Sequence, residues 1–184
     1  MNSFHRIISL FALTFMLSAC GTTSGLKPTD TAKTGNTPTS LAAYDKVIVL
    51  NFEDNAESKS MKGGEEFSKR IVSSVAATKA FSSVTQAKQP GKAVVISGKI
   101  REYKEGNAVL RTVIGFGAGS SYFDADVNFA DNETGAAIGS ITVDKNSWVL
   151  GGFVAGVQDV KSHMDSAAQS IAAELKKAKQ GASK

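Results

Sequence analysis

"SYFDADVNFADNETGAAIGSITVD", residues 121–144, decides the fold. In its first half Phe123, Ala125, Val127 and Phe129 alternate with Tyr122, Asp124, Asp126 and Asn128. An extended chain points successive side chains to opposite faces, so this period of two predicts a half-buried antiparallel strand with an apolar inner face. "DNETG" collects turn-forming residues, and "AAIGSITVD" returns as a second strand, making a hairpin in which Gly139 suits a bulge.

Outward from the hairpin, the periods change. Upstream, "KVIVLNF" (residues 46–52) is a β-branched run of strand length, and its continuous apolar character suits a strand covered on both faces. The polar "EDNAESKSMKGG" reads as a loop. "EEFSKRIVSSVAATKAF" then places Phe67, Ile71 and Val75 four apart, which is one stripe of an amphipathic helix. Glu65 and Glu66 stand in its first turn, where the helix dipole favours acids. "FSSVTQA" and "AVVISGKIREY" read as further strands, separated by a break at Pro90-Gly91. At the C-terminus, "SHMDSAAQSIAAELKKAK" offers Ser162 as a cap and Met164, Ala168, Ile171 and Leu175 as a stripe. The order predicts a single α/β (α+β) sandwich, with a mixed, largely antiparallel sheet and two main helices on one face.

The N-terminus has another character. "MNSFHR" is positively charged, "IISLFALTFMLSA" is apolar and ends in small residues, and together they read as a secretory signal over residues 1–19. The apolar run falls short of the roughly 20 residues that span a bilayer. "LSAC", Leu17 to Cys20, resembles the lipobox of bacterial lipoproteins. That resemblance implies a diacylglycerol on the Cys20 thiol, cleavage before it, and acylation of the new amine. Several acyl chains give stable anchoring where one does not. Gly21 follows where a sorting aspartate would stand, which by the same resemblance points to the outer membrane, with the domain facing the periplasm.

Residues 20–40, rich in Thr, Ser, Gly and Pro, read as a flexible tether, and residues 41–184 as one folded domain. Cys20 is the single cysteine, so the chain holds no disulfide framework, no thiolate metal cluster and no spare catalytic thiol. Loss of residues 1–19 removes Arg6 and no acid, leaving 20 basic against 17 acidic residues, a net charge of +3. Such a balance does not mark a nucleic-acid binder.

"GNAVLRTVIGFGAGSSYFDADVNFADNETGAAIGSITV", with the later "GGFVAG" and the closing helix, resembles the bacterial lipoprotein family defined by the domain of unknown function 4410. The resemblance implies an envelope lipoprotein domain and carries no functional residues with it. "KVIVLNFEDN" resembles, more loosely, the opening of small α/β domains in envelope secretion and assembly lipoproteins.

The glycines of "VIGFGAGSSYF" do not form a phosphate loop. A dinucleotide fingerprint needs its third glycine at relative position six and a helix after it, whereas Ser120 stands there and a strand follows. Neither Gly-Lys-Ser nor Gly-Lys-Thr occurs anywhere in the chain. In extended backbone Gly115, Gly117 and Gly119 share one face, with Phe116 opposite, and a bare stripe lets another group approach closely. "WVLGGFVAGV" is a second such segment, with Trp148, Gly151, Gly152 and Phe153, too short to cross a membrane. These residues are the candidates for contact with a partner or membrane.

Other chemistry is thinner. Asp124 and Asp126 point the same way, as a shared cation requires, but solvation of an alternating strand explains them. His163 beside Ser162 and near Asp165 raises a triad, although triads are defined by geometry and adjacent helical positions diverge. A surface histidine at a helix start is the plainer expectation. Glu53 and Asp54 follow the first strand, where open α/β sheets often place their sites. The expected function is a non-enzymatic binding or accessory module in envelope assembly or secretion, without cofactor or metal, acting on an envelope protein or as a homo-oligomer. The alternatives are a small-molecule or phosphate-binding periplasmic module and, third, a hydrolase using His163 or the Asp124 pair.

Overall fold

The computed structural model describes residues 21–28, 40–107, 110, 119–146 and 159–181. Two short strands come first, β1 (Gly21–Thr23) and β2 (Lys27–Pro28), followed by β3 (Lys46–Val49). The helices α1 (Ala56–Lys59) and α2 (Gly63–Ala77) lead to β4 (Ser83–Thr85) and β5 (Val94–Lys104). The hairpin is β6 (Tyr122–Asp131) and β7 (Ala137–Asn146), and α3 (Val160–Gln180) closes the described chain. The sheet order is β1-β7-β6-β5-β3-β4, with β2 also on β7. β3 runs parallel to β4 and β5, and the remaining pairs are antiparallel, so the sheet is mixed and mostly antiparallel as the sequence predicts.

The hairpin is built as its alternation requires. Phe123, Ala125, Val127 and Phe129 are buried, Ile141 and Val143 of β7 continue their face, and the register skips at Ile138, beside Gly139. Phe67, Ile71 and Val75 of α2, with Met164, Ala168, Ile171 and Leu175 of α3, cover that face in one core. The rings of Phe52, Phe67, Phe123 and Tyr103 meet edge to face, with centroids 5.0, 4.7 and 6.5 Å apart along that series. Each such contact adds about 0.5–1.5 kcal/mol beyond area burial. An ion pair between Arg70 and Asp165 joins the two long helices at the surface.

Three local expectations are corrected. The loop after β3 contains α1, because Asn55 accepts from the Ser58 amide at 2.8 Å while the Ser58 hydroxyl accepts from the Asn55 amide at 3.1 Å, a reciprocal cap. The cap of α3 is Asp159, whose carboxylate accepts from the Ser162 amide at 2.8 Å. Ser162 is thus inside the first turn, and the buried stripe starts at Val160. Most of all, residues 21–28 do not form part of a free tether: Gly21 to Thr23 pair with Lys145 to Val143, and Lys27 and Pro28 with Ser140 and Gly139. Residues 29–39, the rest of the expected tether, lie outside the described residues.

Candidate functional site

Of the residues singled out in the sequence, Cys20, Gly115, Phe116, Gly117, Trp148, Gly151, Gly152 and Phe153 lie outside the described residues. Gly119 is described. Its φ of +72° is the left-handed conformation that glycine tolerates, and a Cβ there would meet the Asn107 carbonyl at 2.4 Å. The Asn107 amide in turn donates to the Gly119 carbonyl at 2.8 Å. The two roots of the chain between Asn107 and Gly119 are therefore fastened together. Leu110 donates its amide to the Asn107 side chain at 3.1 Å and stands 42% exposed.

The root of the second glycine-rich segment is beside them. Tyr122 pairs with Asn146, the last residue of β7, and Ser121 is hydrogen-bonded to His163 in the first turn of α3, with Oγ and Nε2 2.9 Å apart. Both glycine-rich segments consequently leave the described domain at one end of the sheet. Gly21 reaches the same end, opposite Lys145. Burial pushes the Lys145 amine below its ordinary range, against the pull of Asp144.

His163 is corrected from a surface residue to a buried one, 4% exposed, and Ser121 beside it is fully buried. A hydroxyl and an imidazole at this distance have the spacing of a nucleophile and its base. Neither is open to a substrate in this structure. The nearby acids are committed elsewhere, Asp159 to the Ser162 amide and hydroxyl and Asp165 to Arg70. Ser121 was invisible in the sequence as a partner, since it is 42 residues from His163.

The opposite face of the sheet carries the paired aspartates. They do share a face, but Asp126 meets Arg101 at 3.2 Å, while Asp124 stands across from Asp144 on one strand and Glu102 on the other. Burial first, then Asp144 and Glu102, raise the Asp124 carboxyl above its usual range, with Arg101 opposing. No group of three His, Cys, Asp or Glu among the described residues could hold a metal ion. A shallow depression of about 600 Å³ on this face is bordered by Asn51, Glu53, Lys99, Asp126, Asn128 and Thr142. Polar and charged side chains outnumber the apolar Leu50, Val127 and Ile141 that also line it, the reverse of most small-molecule sites. Asp54 is structural, accepting from the Gly64 amide at 2.8 Å and the Ser58 hydroxyl at 2.6 Å at the start of α2. No helix among the described residues is long and apolar enough to cross a membrane.

A single mixed sheet with two helices on one face, its chemistry-bearing residues spread between a buried pair and an open polar face, defines the class as an α+β domain. The chain belongs to the family of the Domain of unknown function (DUF4410), whose model matches residues 32–151. No curated protein matches it. Among solved structures, it is similar to a PelC dodecamer from Paraburkholderia phytofirmans, at 17% identity and a TM-score of 0.58, over 85% of this chain and 97% of that one. A single-substitution variant of the same dodecamer aligns at 18% identity and a TM-score of 0.60, with the same coverage. A Xanthomonas campestris protein of the DUF330 family aligns at 11% identity and a TM-score of 0.49, over 82% of this chain and 91% of that one. The two PelC likenesses establish a shared fold.

Proposed function

We propose that this protein is a lipoprotein of the bacterial envelope, anchored through acyl chains on Cys20 to the periplasmic side of the outer membrane. Its α+β domain acts as a non-enzymatic binding or assembly module that associates with further copies of itself. The observation that carries the envelope reading is the run Leu17-Ser18-Ala19-Cys20 at the end of a short apolar segment. The sharing of a fold with a dodecameric protein supports self-association. The burial of Ser121 and His163 supports a non-enzymatic role.

Metabolic labelling with palmitate tests the anchor: the chain takes up label and sediments with outer membranes, and Cys20→Ser abolishes both. An unlabelled wild-type chain would overturn the envelope reading. Light scattering on the chain beginning at Gly21 tests the assembly, a mass several times that of one chain being expected.

A further inference from the structure

We propose that the folded domain lies directly against the lipid bilayer, presenting the end of the sheet where β1, β6 and α3 begin and β5 and β7 finish. The inference rests on the proposed lipidation of Cys20 and adds an orientation to it. A free tether of residues 20–40 would let the domain wander by ~25 Å, the root-mean-square span of a flexible chain of that length. The structure holds the first residues after Cys20 instead.

The hold is continuous. Gly21, Thr22 and Thr23 are in register with Lys145, Asp144 and Val143. The Ser24 amide donates to the Thr142 carbonyl at 2.9 Å, and the Thr142 amide donates back to the Ser24 hydroxyl at 2.8 Å. Leu26 packs on the core. Lys27 passes so close over Gly139 that a Cβ there would stand 2.6 Å from its carbonyl oxygen. The segment thus runs along β7 from the near end of the sheet toward the far end, and its lipid-bearing neighbour is left at the near end. Adjacent Cα atoms are about 3.8 Å apart, so Cys20 stands within one residue of the row formed by Gly21, Lys145, Phe123 and Tyr103 across four strands.

That end is dressed for an interface. The large apolar side chains exposed among the described residues are two, Leu110 at 42% and Met61 at 46%. Single exposed apolar residues are ordinary on any surface, but both of these belong to the end that Cys20 reaches. Leu110 is bonded to Asn107, just past β5. Met61 is two residues before Gly63, where an added Cβ would stand 3.2 Å from the Tyr103 ring. Beside them the Lys104 ammonium lies 5.6 Å from the centroid of the Tyr122 ring. Tyrosines settle at the headgroup level of bilayers, and lysines lay their stems on apolar surface while the charge stays in water. The far end differs: α3, 21 residues and so ~30 Å long, finishes there with Lys177 exposed and Lys179 held by Asp45 at 2.7 Å.

The test uses the full lipidated chain in vesicles of phosphatidylethanolamine and phosphatidylglycerol doped with nitroxide lipids. Acylation turns Cys20 into a thioether, so an added cysteine is the one reactive thiol. A fluorophore is attached in Leu110→Cys, Met61→Cys or Lys177→Cys, and palmitate incorporation is measured on the same preparations. Expected is palmitate uptake in all three, with quenching at positions 110 and 61 several-fold stronger than at 177. Equal quenching in palmitate-labelled protein, or stronger quenching at 177, overturns the orientation and leaves the anchor standing. Absence of palmitate overturns the anchor and the orientation with it.

Discussion

The Ser121 hydroxyl and the His163 imidazole meet at 2.9 Å inside the protein, joining the first turn of α3 to the residue before β6. The bond crosses from helix layer to sheet at the point where two long connections leave the fold. Removing one partner of a buried pair leaves the other with unmet hydrogen-bonding capacity, at a cost of about 1–3 kcal/mol. Ser121→Ala is expected to lower the urea midpoint accordingly. With His163→Ala added, the double variant should lose less than the two single losses combined, as residues in contact do.

Gly119 offers a sharper steric test. Gly119→Ala combines a positive φ with a Cβ 2.4 Å from a backbone oxygen, which no side-chain rotation relieves. Its cost should exceed about 1 kcal/mol, the scale on which Gly→Ala otherwise stabilises compatible sites. Denaturant unfolding followed by circular dichroism measures it.

Much of the fold was legible where side chains write a period. β6 is a strict alternation, and the stripes of α2 and α3 repeat at helical spacing, so the central hairpin, the core face and the two long helices followed from residue types. The start of α3 was misplaced because Asp159 and Ser162 are both good caps, and only the burial of Val160 selects the first. β1 and β2 left no signal at all: they are held by backbone pairing to β7, and strands of three and two residues are too short to write a side-chain period. The burial of His163 was equally hidden, since it depends on a partner brought in by tertiary folding.

On the open face, Asp124 is expected to be a liability. It stands directly across from Asp144, an arrangement that costs about 0.2–1 kcal/mol in sheets. Asp124→Asn should therefore stabilise the protein near neutral pH. Because the folded carboxyl has a raised pKa, the native state binds this proton more tightly than the unfolded chain. The wild type gains stability from this group as pH falls through the folded value, and the variant lacks that gain, so the gap between the variant and wild-type urea midpoints should be smaller at mildly acidic than at neutral pH.

Asp131 works in the other direction. At the hairpin turn it accepts from the Thr134 amide and hydroxyl, the Glu133 amide and the Tyr44 hydroxyl, and its pKa is lowered to about 2. An unfolded aspartate titrates near 3.9. The contribution of this group is thus complete above roughly pH 4 and lost as pH falls through the folded value of about 2. Tyr44→Phe removes one donor and leaves the Thr134 and Glu133 bonds, so the Asp131 pKa, followed by carboxyl-carbon NMR, should rise part of the way toward the unfolded value.

The segment laid along β7 also governs what one border of the sheet offers to any other chain. An uncovered strand of ten residues would present a ladder of unpaired amides and carbonyls to any other chain. Here the covering segment turns outward a two-residue strand, Lys27-Pro28, of which Lys27 is exposed and charged and Pro28 has no amide to donate. At Lys27-Pro28 continuation of the sheet into another chain is opposed by a charge and a missing amide rather than by bulk, and β1 beside it is only three residues long. The opposite border, β4, is only three residues long, so neither edge of the described sheet offers the long run of unpaired backbone on which an open-ended β fibre grows.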